Sequence, residues 1–345
     1  PSAAEYFRLF LFDMVGPNPI GSVNNVTVRN GVASVGGAIA VQADGSVSAT
    51  NAILEDNTST GAGGAMHSTG PRINANGSTF SNNTAGMSGG AMFSPTGMTL
   101  GNSTFTGNSA QNGIGGAVVA QGEVRITNTA MNNNTAPNGD GGAVHTSGNV
   151  LLAASTVSGN SSGGLGGAVY TTGPLTVLNS IVDNNSGVDG GGLYSNSDDE
   201  SRVFNSLFHD NTATNDGGAL YINSGTAPII RNNTFTQNIA DSDNDSNGLG
   251  GGIFYDAGAL ISNNILWQNT LGNGTVDDFE GSLTFTTSIV SELGGPDPNF
   301  SDPANDDFTL TNLSLDAVDQ GDNALYNAPS EFDISVDIDG DGPEA

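Results

Sequence analysis

Two runs of alternating carboxylates are the residues of this sequence best suited to hold an ion. Asp241, Asp243 and Asp245 with Asn247 fall in the run DSDNDSNG, and Asp337, Asp339 and Asp341 fall in DIDGDG just before the end. Oxygen ligands at alternate positions of a short loop suit a hard cation, and calcium is the expected cofactor. The acidic residue that would complete a calcium loop seven positions after Asp341 lies past Ala345. A solvated acidic loop is the competing account of both runs.

Acid–base chemistry is poorly supplied. Removing a proton beside a uronate calls for a Lys or Arg near a cation, yet Lys is absent and the six basic residues are scattered at Arg8, Arg29, Arg72, Arg125, Arg202 and Arg231. Glycoside hydrolysis needs two carboxyls flanking the bond. Here Asp56, Asp140, Asp189 and Asp216 sit in turns with no visible pairing, so a non-catalytic protein is expected.

Composition narrows the class further. The 345 residues carry 35 Asp plus Glu and a formal charge of −29, which excludes partners that are bound through phosphates, nucleic acid above all. No Cys is present, so disulfides and thiolate metal sites are impossible. No apolar run is long enough for a transmembrane helix, and the sequence opens at Pro1 without showing a basic, apolar signal segment. An acidic chain of this kind fits an extracellular or bacterial cell-surface location, as a mature form or fragment.

What would position these residues is a repeat. Gly-Gly followed by Ala or an aliphatic residue recurs from Gly36-Gly37-Ala38 through Gly63-Gly64-Ala65 and Gly141-Gly142-Ala143 to Gly191-Gly192-Leu193, Gly217-Gly218-Ala219 and Gly251-Gly252-Ile253. The step is 25 to 27 residues until the last, which carries the acidic insertion. In phase with it, a large apolar residue precedes an Asn by three positions, giving Asn57, Asn83, Asn108, Asn134, Asn160, Asn185, Asn211, Asn238 and Asn269. A further column holds Asn102, Asn128, Asn179, Asn205, Asn232 and Asn263.

Short apolar alternations broken by Gly, Asn and Ser read as strands. A repeat of this length accommodates three strands and three turns, stacked at about 4.8 Å per coil. The predicted fold is all-β: a right-handed parallel β-helix of about ten coils over residues 1–287, with a non-repeat segment, 288–345, packing on or extending from the last coil. Ile39, Met66, Met92, Val118, Val144, Val169, Tyr194, Leu220 and Phe254 form the expected inward column, joined by Phe80, Phe105, Phe208 and Phe235. The Asn columns are expected to take left-handed turn conformations and to stack their amides. Strand alternation then turns His67, Phe93, His145, Tyr170, Ser195, Tyr221 and Tyr255 outward as a ridge for sugar rings or a protein surface.

The pairing of Gly-Gly-Ala-aliphatic with Phe-x-x-Asn over roughly residues 20–270 resembles the repeat of the chlamydial polymorphic outer-membrane proteins and related bacterial β-helix proteins. The stretch from Ser288, with DPNFSDPANDDFTLTNLSLDAVDQGDNAL, is similar to the C-terminal region of secreted choice-of-anchor proteins, in which a sorting tail follows. The resemblance implies a structural or adhesive surface solenoid whose partners are a host or cell-surface glycan or protein, or a second copy stacked head to tail. A secreted protein that binds or degrades polysaccharide is the alternative.

Overall fold

The computed structural model describes residues 10–13, 20–42, 46–70 and 72–310. Within them the chain winds as a parallel β-solenoid of four sheets, three with eleven strands and one with ten. Each of the three long sheets takes one strand from every coil. The first runs from Phe10–Asp13 to Phe279–Glu280, the second from Ile20–Asn24 to Leu283–Thr286, and the third from Thr27–Arg29 to Ile289–Val290. Eleven strands at about 4.8 Å give a rod about 50 Å long.

Three strands per coil describe the three long sheets. The fourth sheet consists of two-residue strands such as Thr84–Ala85, lying between the Asn and Gly-Gly signatures, where two residues are too few to show an alternation in sequence.

The glycine pair has two separate causes. Gly63 sits at φ 65, a left-handed conformation that an ordinary side chain resists. Gly64 has a different constraint, because a Cβ there would collide with the carbonyl oxygen of Gly90 in the next coil.

Registers are in phase, so like residues pile on like. In the third sheet Leu54, Phe80, Phe105 and Met131 are successive partners, all fully buried, and the Phe80 and Phe105 rings stack 4.7 Å apart. Phe208 and Phe235 repeat the arrangement at 4.5 Å.

Beside this apolar column runs a buried polar one. The side-chain nitrogen of each ladder asparagine donates to the side-chain oxygen of the next, as in Asn108 to Asn134 and Asn134 to Asn160, both 2.9 Å, and also to a main-chain carbonyl of the preceding coil. The same oxygen also accepts the backbone N–H of the asparagine whose amide donates to it, so each ladder amide is fully partnered. The left-handed residue is not the ladder Asn but the one before it, as at Asp56, Asn82, Asn133 and Asn184. The second column does adopt that conformation, with φ 49 at Asn102 and 48 at Asn128 and Asn179.

The ladder ends on an acid. Asn269 donates through its backbone and its amide to Asp278 Oδ1, at 3.1 and 2.9 Å, while Oδ2 accepts from Ser291 Oγ and the Glu292 N–H. Asp278 is completely buried. A carboxylate only accepts, so it can close a column in which every amide points its donor forward. A further buried column, missed in the sequence, links Ser78, Ser103, Thr129, Ser155, Ser180 and Ser206, each hydroxyl accepting the backbone N–H of the preceding coil.

The coil path continues past the expected boundary at 287, since Ile289–Val290 still pairs with Ile265–Trp267. Residues 291–310 then leave it. They make a 3-10 turn at Ser291–Leu293 and an antiparallel hairpin of Phe300–Asp302 with Asp307–Leu310. The hairpin folds back along the outside of the third sheet, where Phe308 lies 5.0 Å from the ring of His209.

Candidate functional site: a stacked aromatic strip edged with carboxylates

The outward positions of the first sheet form one ladder: Ala40, His67, Phe93, Val119, His145, Tyr170, Tyr194, Tyr221, Phe254 and Glu280. His67, Phe93, His145, Tyr170 and Tyr221 therefore lie on it, whereas Ser195 and Tyr255 do not. Both point inward, and Tyr255 is 1% exposed in the core. Tyr194 and Phe254, expected inside, hold the outward places.

The cause is a glycine triplet. In Gly190-Gly191-Gly192 and Gly250-Gly251-Gly252 the left-handed residue is the first, with φ 60 and 67, equivalent to Gly217 of the ordinary Gly-Gly-Ala run at φ 63. The third glycine thus takes the alanine place, and Leu193 and Ile253 take the inward one. A slip of one residue in a strand turns every side chain to the opposite face.

Ring planes lie nearly parallel along the strip. Centroids are 4.8 Å apart for His145 and Tyr170, 5.5 Å for Tyr170 and Tyr194, 4.7 Å for Tyr194 and Tyr221, and 4.6 Å for Tyr221 and Phe254. His67 and Phe93 form a shorter stack at 5.2 Å. Sugar rings pack on open aromatic faces. In this stack each ring covers its neighbour, and the strip presents ring edges instead. His67 and His145 are three coils apart, about 14 Å, too far to share an ion.

Along one side run carboxylates from the turn before the left-handed glycine. Asp189 Oδ1 accepts the Asp216 N–H at 3.2 Å, and Asp216 Oδ1 accepts the Leu249 N–H at 2.9 Å. These two, separate in sequence, stand on adjacent coils. Asp140 Oδ1 makes the equivalent bond to Leu165 N–H at 2.8 Å.

Burial, reinforced by Asp189, Asp256 and Glu280, pushes the Asp216 carboxyl up to about 6 against the opposing hydrogen bond from Leu249. Burial likewise pushes the Tyr194 phenol up to about 12, with Asp189, Tyr170 and Asp140 adding to it, and raises Tyr170 and Tyr221. At His145 burial outweighs the attraction of Asp140 and lowers its basicity. The strip therefore keeps its phenols protonated and holds one carboxyl, Asp216, that changes charge under mildly acidic conditions.

The acidic insertion also gathers. One carboxylate oxygen from each of Asp241, Asp243 and Asp245 lies within 4.8 Å of the others, and Asp241 is buried. Asn247 is turned onto Asp245, donating through its backbone at 3.0 Å and its amide at 2.8 Å. Asp337, Asp339 and Asp341 lie outside the described residues.

In-phase ladders around a closed, four-sheet coil define a parallel β-helix. Residues 73–235 match the family described as the right handed beta helix region. No curated protein and no solved structure matches the chain. Among the described residues no helix is long and apolar enough to cross a membrane.

Proposed function

We propose that this β-helix is a non-catalytic structural or adhesive rod of the extracellular or bacterial cell surface, akin to proteins with polymorphic outer-membrane-type repeats and an anchor-type C-terminal segment. The observation that carries this reading is the strip itself. Five consecutive coils, from His145 to Phe254, place an aromatic ring at the same outward position, bounded by Asp140, Asp189 and Asp216. Stacked rings and aligned turns make a stiff, nearly flat band, suited to lie against a cell-surface glycan or a protein rather than to enclose a small molecule. Calcium, held by the Asp241–Asp245 loop, would stiffen the turn beside it.

A second copy is the other natural partner. Among the described residues, the first strand of each sheet is paired on one side only, and a stacked molecule would satisfy that edge. Electron microscopy of the purified chain tests this: filaments support head-to-tail assembly, and discrete rods about 50 Å long restrict the role to lateral adhesion. Binding to a glycan array, compared with Tyr221→Ala, tests the strip. Loss of no ligand in that variant would remove the strip from the proposal.

The Asp189 and Asp216 pair favours polysaccharide cleavage as a second reading, because adjacent carboxyls with one raised are an acid–base arrangement. Release of reducing ends or unsaturated sugars from a panel of acidic and neutral polysaccharides, abolished by Asp216→Asn, would establish it.

A further inference from the structure

We propose that His209, Asp210 and Asp306 form a site for a zinc-class transition-metal ion that fastens the C-terminal hairpin to the third sheet. One donor atom from each of the three lies within 4.8 Å of the others, although Asp306 is remote from the other two in sequence. His209 closes its strand of the third sheet, with 5% of its surface exposed, and its Nδ1 lies 2.7 Å from Asp210 Oδ2. Asp306 occupies the left-handed turn of the hairpin, φ 61, and Phe308 lies over the imidazole.

Charge supplies an independent argument. The sequence contains no Lys or Arg after Arg231. The hairpin brings Asp306 toward a flank that carries Asp183 and Asp210. Docking an acidic segment on an acidic sheet gathers like charges, which is unfavourable unless a cation lies between them. The chain provides an imidazole there, and an imidazole with carboxylates is a donor set for zinc and its neighbours, whereas calcium takes oxygen alone.

A tetrahedral zinc ion holds its donors at about 2.0–2.2 Å, roughly 3.4 Å from one another, a separation that falls between the 2.7 Å hydrogen bond of His209 with Asp210 and the 4.8 Å within which all three donors lie. Three protein ligands leave a fourth position. His209 and Asp306 line an open depression of about 430 Å³ together with Asn132, Ser158, Ile181 and Asp183, room for a water or an oxygen of a ligand as the fourth donor. In this account the metal joins two parts of one chain, a role distinct from the acidic insertion.

The chain contains a local reporter. Its one Trp, Trp267, lines with Phe300 and Pro303 the cavity between hairpin and sheet. The full chain, stripped with a chelator, is titrated with zinc chloride by calorimetry while Trp267 emission and amide exchange of residues 300–310 are followed. One zinc per chain, a change in Trp267 emission and slower exchange in the hairpin are expected. Loss of a supporting partner of a metal ligand typically weakens binding 10–100-fold, so His209→Gln and Asp306→Asn should each weaken zinc by at least about tenfold and abolish both optical and exchange responses. Asp243→Asn should leave them intact. Absence of saturable zinc binding, binding that survives both ligand variants, or equal competition by calcium would overturn the site. Should His209→Gln fail to fold, Asp306→Asn, on an exposed turn, decides alone.

Discussion

Replacing one central ladder residue, Asn134→Ala, isolates what the buried amides contribute. In the native protein the Asn134 oxygen accepts from the Asn108 backbone at 3.1 Å and from the Asn108 amide at 2.9 Å, and its own amide donates to Phe105 O at 3.0 Å. The backbone bond from Asn134 N–H to Asn160 survives the substitution. The carbonyl of Phe105 loses one bond but keeps its place in the strand pairing with Met131, while two buried donors of Asn108 are left without a partner. Each such group costs about 1–3 kcal/mol. A water in the vacated polar space would recover part of that, leaving a net loss of about 2–4 kcal/mol. Because coils couple only to their neighbours, the loss should be felt locally first, as faster amide exchange around coils 108–160 before global melting. The control is Asn102→Gly in the exposed column, where φ 49 suits glycine and the loss should stay below about 1 kcal/mol. Urea denaturation with exchange mass spectrometry measures both. A cost for Asn134→Ala no larger than for the control would refute the view that the ladder binds coil to coil.

Four further outcomes follow from the geometry. Asp278→Asn turns a donor toward Ser291 Oγ or the Glu292 N–H and should destabilise the last coil by about 2 kcal/mol, seen as selective exchange of residues 279–290. For Asp216 the folded carboxyl is raised from 3.8 to about 6, so the folded state binds the proton more tightly and the group's relative stabilisation is lost as pH rises through that window. The melting temperature of Asp216→Asn should accordingly gain on the native protein between pH 4 and pH 6, and a flat difference would contradict the raised value. In a chain without cysteine, Tyr194→Cys, at an outward position that is 7% exposed, should react with a thiol reagent faster than Ser195→Cys, which is fully buried, and the reverse order would restore the other register. Calcium should raise the melting temperature and a chelator lower it, both effects vanishing in Asp241→Asn, with no response in the native chain removing the ion from that loop.

The repeat itself was readable without coordinates, because a solenoid coil must place glycine, asparagine and an aliphatic residue at the same three corners each turn. Those residues keep the same spacing wherever the path is regular. From that spacing follow the parallel coils, the Phe80 and Phe105 column and the identity of the ladder asparagines. Where three glycines stood together the sequence was degenerate, since any two of them satisfy the pattern. Only backbone conformation, with Gly190 and Gly250 left-handed, selected Tyr194 and Phe254 for the outer face and sent Tyr255 into the core. The carboxyl pair of Asp189 and Asp216, the closing role of Asp278, and the meeting of His209 with Asp306 depend on which coils are neighbours and where residues 291–310 fold back. Contacts of that kind carry no period along the chain, so they become visible only when the coils are stacked.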